Sequence, residues 1–376
     1  MAVVQLTEGY LGTKAVLTAP LSLEGEESDS NNGPPNLLQR IFSLLNNVHP
    51  GSDLIRFQLP PVFNFPKSQL QCYGESVYCI NTDMLSKCNH GESPLDRFVS
   101  VIAWSISTMR PLMFGVAPYN PVLGETHHVS SGTLNVLLEQ VAHHPPFYGT
   151  NIETEVHGKR QLILHDKSET YVMNSPKLVI RFLPVPRVDW LGNVTIQCKE
   201  TGLEAELCYR GNSFLSRRSQ HRSIKGKIFL SSSSQTIYEI NGHWDRTVTI
   251  KDASNERVTI IYNANEALSG LKTPIVKDPK GIVPSESTLI WAGVSQAILQ
   301  KKWEKAREAK NTVEERQREV AKEIKLKDEK WVPKHFTISH SKESGWECLP
   351  NHKLVPPAPI VVTPSTSGNS VKFIHM

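Results

Sequence analysis

Between Thr133 and about Asn263 the chain repeats one pattern: short runs of β-branched, aromatic and aliphatic residues, broken by turn residues at roughly ten-residue intervals. The runs are Leu134–Val141, Arg160–Leu164, Leu178–Phe182, Val194–Cys198, Ala205–Tyr209, Ser223–Leu230, Gln235–Ile240 and Thr247–Lys251. Asn151, Gly158, Gly202, Gly211 and Asn241-Gly242 supply the turn signals between them. Many short strands thus follow one another along this stretch. They predict a meandering antiparallel sheet that closes into a barrel, within an α+β chain that is mainly β.

Helical patterns flank this middle. Leu37, Leu38, Ile41, Phe42, Leu44, Leu45 and Val48 recur at helical spacing, with Asn36 as a cap and Pro50-Gly51 as a stop. Ser93 to Arg110 reads as a helix carrying Phe98, Val101, Ile102, Trp104 and Met109, with Ser93 as N-cap and Pro94 at the first position. Ser285 to Lys330 reads as the longest helical stretch, apolar at Leu289, Val294, Ile298, Trp303, Ala306 and Val313 and otherwise dense in charge. Residues 24–35 hold almost nothing apolar, and Pro356 to Ser370 is rich in Pro, Ser and Thr. The expected organisation is a flexible tail over 1–35, a single unit over 36–350 and a second flexible tail over 351–376. The unit divides into a helical and irregular part at 36–130, the β core at 131–275 and a helical part at 276–350.

Composition excludes several classes. A net charge of +4 in 376 residues is too weak to argue for nucleic acid, yet it suits contact with anionic membranes. The irregularly spaced cysteines, 6 in all, read as reduced thiols in the cytoplasm. No apolar run approaches a membrane span, so membrane contact is expected to be peripheral. There is no Gly-x-Ser-x-Gly, His-Glu-x-x-His or P-loop, and the chain reads as no enzyme and as needing no cofactor.

The densest chemistry is the octad Glu139-Gln140-Val141-Ala142-His143-His144-Pro145-Pro146. Its two prolines remove backbone donors and end the strand before them. The paired imidazoles have three readings: metal ligands, packed structural histidines, or donors to an anion. Neighbouring strand residues point to opposite faces, and no further ligands stand at zinc spacing here or beside His127-His128, which weighs against a metal. A second feature is Lys310, Glu314 and Arg318 at i, i+4 and i+8. One helical face carries all three, and Glu314 can hold both cations in place. Alone, this is a solvated charged face; beside an anion site, it delivers two cations.

The octad resembles the Glu-Gln-Val-Ser-His-His-Pro-Pro signature of the oxysterol-binding protein-related family, departing only at Ala142. Pro118-Tyr119-Asn120-Pro121-Val122-Leu123-Gly124-Glu125 is similar to the family's Lys-Pro-Leu-Asn-Pro-Phe-Leu-Gly-Glu. Lys310 to Arg318 is similar to its Lys-x-x-x-Glu-Glu-x-Gln-Arg, with lesser matches at Asn241 to Asp245 and at Glu286-Ser287 before Trp291. The resemblance runs from about residue 36 to 335 and is to the lipid-binding domain alone, in a short plant-like form.

That resemblance implies a large antiparallel β-barrel enclosing a lipid tunnel. It implies a lid built on Leu37, Ile41, Phe42 and Leu45. It implies a headgroup site for phosphatidylinositol 4-phosphate made by Asn120, His143, His144, Lys310, Glu314 and Arg318. The implied function is non-vesicular transfer by a monomer of a sterol, or of phosphatidylserine instead, in exchange for the phosphoinositide. A sensor that recruits partners is the alternative. One departure stands out: Ala117 occupies the position of the family's first lysine, so one headgroup cation is missing unless Arg110 or another residue replaces it.

Overall fold

The alternating runs pair into one sheet. A computed structural model describes residues 17–23, 59–112, 116–141, 151–154, 160–181, 187–211, 222–277, 281–329, 331–341, 345–352 and 354–363. The sheet has ten strands: β5 (Asn151–Thr154), β6 (Arg160–Leu164), β7 (Glu169–Met173), β8 (Lys177–Arg181), β9 (Arg187–Cys198), β10 (Leu203–Arg210), β11 (Ser223–Leu230), β12 (Thr236–His243), β13 (Thr247–Asp252) and β14 (Val258–Asn263). The order is β14-β13-β12-β11-β10-β9-β7-β6, with β8 joining β5 to β9. All pairs are antiparallel. The expected meander is therefore present. Among the described residues its end strands do not pair with each other, and the closure expected of a barrel is not found there.

Side-chain alternation explains why the strands form. In β10, Leu203, Ala205, Leu207 and Tyr209 are buried, while Glu206 and Arg210 are exposed. Strand β9 is long enough to pair with β10 along one edge and to share the other between β8 and β7.

Helix Pro94–Ser107 fills the apolar face. It starts where expected: Ser93 and Asp96 cap each other reciprocally, and Pro94 needs no amide partner. Phe98, Val101, Ile102 and Ile106 are fully buried in one core with Tyr171, Met173, Val194, Ile196 and Ile224 of the strands. The same helix places Arg97 against Glu169 in a buried pair, Nε to Oε2 at 2.9 Å, with a second contact from Nη2 to Oε1. Tyr171 Oη donates to the same carboxylate at 2.6 Å.

The Arg97 guanidinium holds the Glu169 carboxyl below its usual range. A depressed carboxyl contributes stability above the unfolded pKa and loses it as pH falls through the folded value. Arg97→Leu strands a buried carboxylate. It is expected to cost about 3–5 kcal/mol near neutral pH, and less in acid, where Glu169 takes up a proton. Urea midpoints measured at both pH values check this, and equal losses at the two would contradict the assignment.

Three expectations differ from what is observed. Asn241-Gly242 is not a turn but lies inside β12, where a Cβ on Gly242 would meet the Thr247 carbonyl oxygen at 2.2 Å. The glycine permits close strand approach, and the turn follows at Trp244–Arg246. The stretch 285–330 is three helices, Ser287–Ile290, Ala292–Leu299 and Trp303–Leu326. The expected C-terminal tail contains β18 (Ile360–Val362), whose buried Ile360 and Val362 pack with Tyr78, Val129 and Val136. It runs parallel to β3 (Thr126–Ser131) and pairs antiparallel with β15 (Val276–Lys277). The stripe Leu37, Ile41, Phe42 and Leu45 lies outside the described residues, as does most of the segment 1–35. All six cysteines are free thiols. Among the described residues no helix is long and apolar enough to cross a membrane.

Candidate functional site

The segment Pro118–Glu125 links β2 (Ala117–Tyr119) to β3, and one buried carboxylate fixes its path. Glu125 is fully buried and accepts from Ser68 Oγ (2.5 Å), Ser287 Oγ (2.6 Å), Trp291 Nε1 (2.9 Å) and the Val122 amide (3.0 Å). Burial pushes its carboxyl above the usual range, and these donors pull it back. Tyr119 stacks on Trp291 with ring centroids 4.6 Å apart and meets Ser295 through its hydroxyl. The loop is thereby bound to helices Ser287–Ile290 and Ala292–Leu299.

The three motifs meet at the next residues. Gln317, on helix Trp303–Leu326, accepts from the Leu123 amide at 3.1 Å. The Gly124 amide donates to the Gln140 carbonyl at 2.9 Å, and the Gln140 amide donates to the Glu125 carbonyl at 2.8 Å. Gly124 is required as glycine. Its φ is +80°, and a Cβ there would lie 2.5 Å from the Trp331 ring. Helix Trp303–Leu326, the Asn120 loop and the octad strand β4 (Leu134–Glu139) thus share one junction, although they are far apart in sequence.

On that helix the predicted face is present. Glu314 lies between its cations, 3.7 Å from Lys310 Nζ and 3.8 Å from Arg318 Nη2. Lys310 is only 5 % exposed. Its ammonium donates to Asn64 Oδ1 at 2.8 Å and to the Leu59 carbonyl, and burial lowers its pKa against the pull of Glu314. The Arg318 side chain is 38 % exposed and open to a ligand. Asn120 is exposed three residues before Leu123. His143 and His144 lie outside the described residues; β4 ends at Glu139, and the chain after it is described as far as Val141.

Ala117 sits beside this cluster. Asn64 Nδ2 donates to its carbonyl at 3.0 Å while Asn64 Oδ1 receives Lys310. Asn64 is a site residue with no local signal in the sequence. It is found only because β1 (Asn64–Ser68) pairs with β2. Arg110 does not take the place of the missing lysine. It is buried with Nη2 on the carbonyls of Ser76 and Cys79, and burial lowers its pKa to about 10.

Two neighbouring features have structural roles. The Glu139 carboxylate accepts the amides of Lys334 (2.7 Å) and His335 (2.8 Å), which ties β4 to the C-terminal segment. His127 is fully buried between Glu286 (2.7 Å) and Tyr78 (3.0 Å), and His128 bonds Asn135 (2.9 Å). Among the described residues no group of His, Cys, Asp and Glu is arranged to hold a metal.

Comparison with known proteins gives concordant findings. The family model for oxysterol-binding protein matches residues 41–148 and 146–354. Oxysterol-binding protein-related protein 4C of Arabidopsis thaliana is 49% identical over 374 residues, covering 92% of this chain and 98% of that protein. The crystal structure of the Osh1 ORD domain in complex with cholesterol aligns with a TM-score of 0.66 at 21% identity, over 92% of this chain and 93% of that one. The Osh3 ORD in complex with PI(4)P from Saccharomyces cerevisiae aligns with a TM-score of 0.58 at 17% identity, over 92% and 95%. At these identities the two structures speak to the fold.

Proposed function

The chain belongs to the oxysterol-binding protein family, and from that premise we propose that it carries lipids between membranes by extraction and exchange, with no bond made or broken. The cargo proposed is a sterol and phosphatidylinositol 4-phosphate, the ligand classes of the two aligned structures. The protein would work as a water-soluble monomer that touches membranes peripherally. Residues 36–350 would form the lipid-binding unit, with the sheet closed around a tunnel and Leu37, Ile41, Phe42 and Leu45 on the lid.

One observation carries this reading. Lys310, Glu314 and Arg318 share a helix that is bonded through Gln317 to the Asn120 loop, and that loop is bonded to the strand leading into His143-His144. A phosphomonoester carries roughly −1.5 to −2 charges near neutral pH, so it calls for several convergent donors. Arg318 suits a bidentate grip, and the buried Lys310 adds charge where water screens it little. The apolar side of the argument is a matter of size. Each CH₂ returned to water costs about 0.8 kcal/mol, so a two-chain lipid has to be enclosed almost completely, and only its head can sit at a polar rim.

Replacing both His143 and His144 with alanine tests the assignment. Extraction of phosphatidylinositol 4-phosphate from liposomes is expected to disappear while sterol extraction persists, since the head site and the tunnel are separate. Unchanged phosphoinositide extraction, or stoichiometric zinc in the purified protein, would overturn it.

A further inference from the structure

We infer that the turn between helices Ala292–Leu299 and Trp303–Leu326 is a membrane-docking tip that seats Leu299 and Trp303 in the interface of an anionic bilayer. The inference rests on the carrier reading above and names the surface by which the head site meets its membrane.

Leu299 is 56 % exposed and Trp303 is 42 % exposed, only four residues apart. Between and beside them stand the exposed Lys301, Lys302 and Lys305. Glu304 is paired with Arg307 at 2.6 Å, and the next acid, Glu308, stands one turn further along the helix, so cations outnumber acids over Lys301–Glu308. Indole with an aliphatic neighbour and flanking lysines is the chemistry of an interfacial anchor on negatively charged lipid. An exposed leucine alone would not justify the proposal. Leu326 is 85 % exposed at the far end of the same helix, but Glu323, Asp328 and Glu329 stand among its lysines and offset them. Charge complementarity therefore selects the tip at Leu299–Lys305.

The turn itself is rigid. The Lys302 amide bonds the Ala297 carbonyl and the Lys301 amide bonds the Ile298 carbonyl, both at 2.8 Å. This is a Schellman closure, and its left-handed position, usually glycine, is Lys301 at φ +55°. A side chain there carries a backbone penalty, yet the position holds a cation on the outside of the turn.

Placement joins the tip to the site. Trp303, Lys310, Glu314 and Arg318 fall at i, i+7, i+11 and i+15, on one face of one helix. Trp303 stands about 10 Å along the axis from Lys310. An indole seated at the headgroup level would thus hold the cations of the site within reach of a lipid phosphate.

The test is flotation with vesicles of phosphatidylcholine, with and without phosphatidylserine, containing no sterol or phosphoinositide. Docking is thereby read apart from cargo binding. The wild-type protein is expected to float with the anionic vesicles at low salt and to release as salt shortens the screening length. Leu299→Ser with Trp303→Ser should weaken this at least about tenfold, the scale of returning one large apolar side chain to water. Lys301→Gly should weaken it about fivefold, the share of one lysine at such a surface, while leaving the melting temperature unchanged or higher. Leu326→Ser should bind like the wild type. Wild-type flotation from tip variants, an equal loss in Leu326→Ser, or no anionic preference in the wild type would each overturn the inference. If the tip variants fail to dock while the wild type extracts no lipid, the docking surface stands and the carrier reading falls. If exchange proceeds and docking ignores the tip, the reverse holds.

Discussion

Arg318→Ala combined with Lys310→Met is expected to lower affinity for phosphatidylinositol 4-phosphate by about 10²–10⁴-fold, from two charge-assisted contacts at about 1.5–3 kcal/mol each. The two positions are not equivalent. Arg318 is partly exposed, and Glu314 is its ion partner within the helix. Its alanine variant should fold normally and show only the binding loss. Lys310 is buried and also serves Asn64 and the Leu59 carbonyl, so its replacement removes structural bonds as well. Melting curves separate the two effects, and competition with a fluorescent phosphoinositide reads the affinity. Sterol binding should survive Arg318→Ala. Unaltered phosphoinositide affinity in Arg318→Ala would remove this helix from the site.

The largest loss of stability is expected at Glu125. Glu125→Ala leaves the Ser68 and Ser287 hydroxyls, the Trp291 indole and the Val122 amide without their acceptor, in a place closed to solvent. A stranded buried donor costs about 1–3 kcal/mol, so the sum is about 4 kcal/mol or more, even if some donors find new partners. That is a large part of the roughly 5–15 kcal/mol available to a folded chain. Glu125→Gln keeps one acceptor oxygen and should lose about half as much. The midpoint of urea unfolding gives both values, and a loss below about 1 kcal/mol for the alanine variant would show that the hub is not structural.

Comparison of Glu125 with β10 shows what could be read from sequence. Strand β10 announces itself because its alternation of Leu203, Ala205, Leu207 and Tyr209 is local and periodic. Arg160–Leu164 and Ser223–Leu230 were legible as short runs with β-forming residues between turn signals, and their bounds match the observed strands. Glu125 belongs to a recognisable segment, but its side-chain partners come from residues 57, 162 and 166 positions away, and no local pattern encodes them. Asn64 was missed on the same ground. The break at Gln300–Lys302 was hidden because a lysine stands where a glycine would have signalled the helix end. Gly242 misled in the opposite sense, since its small size serves strand packing and not a turn. The face formed by Lys310, Glu314 and Arg318 was legible from helical spacing, whereas its bond to the Asn120 loop through Gln317 required the fold.

Two-way exchange between liposomes tests the carrier reading most directly. Donor vesicles hold phosphatidylinositol 4-phosphate, acceptor vesicles hold a labelled sterol, and each lipid is followed in real time. The account predicts opposing transfers that depend on each other, with Arg318→Ala slowing the phosphoinositide arm and the sterol movement coupled to it. Tight binding of either lipid without net transfer in either direction would contradict it and leave the protein a sensor.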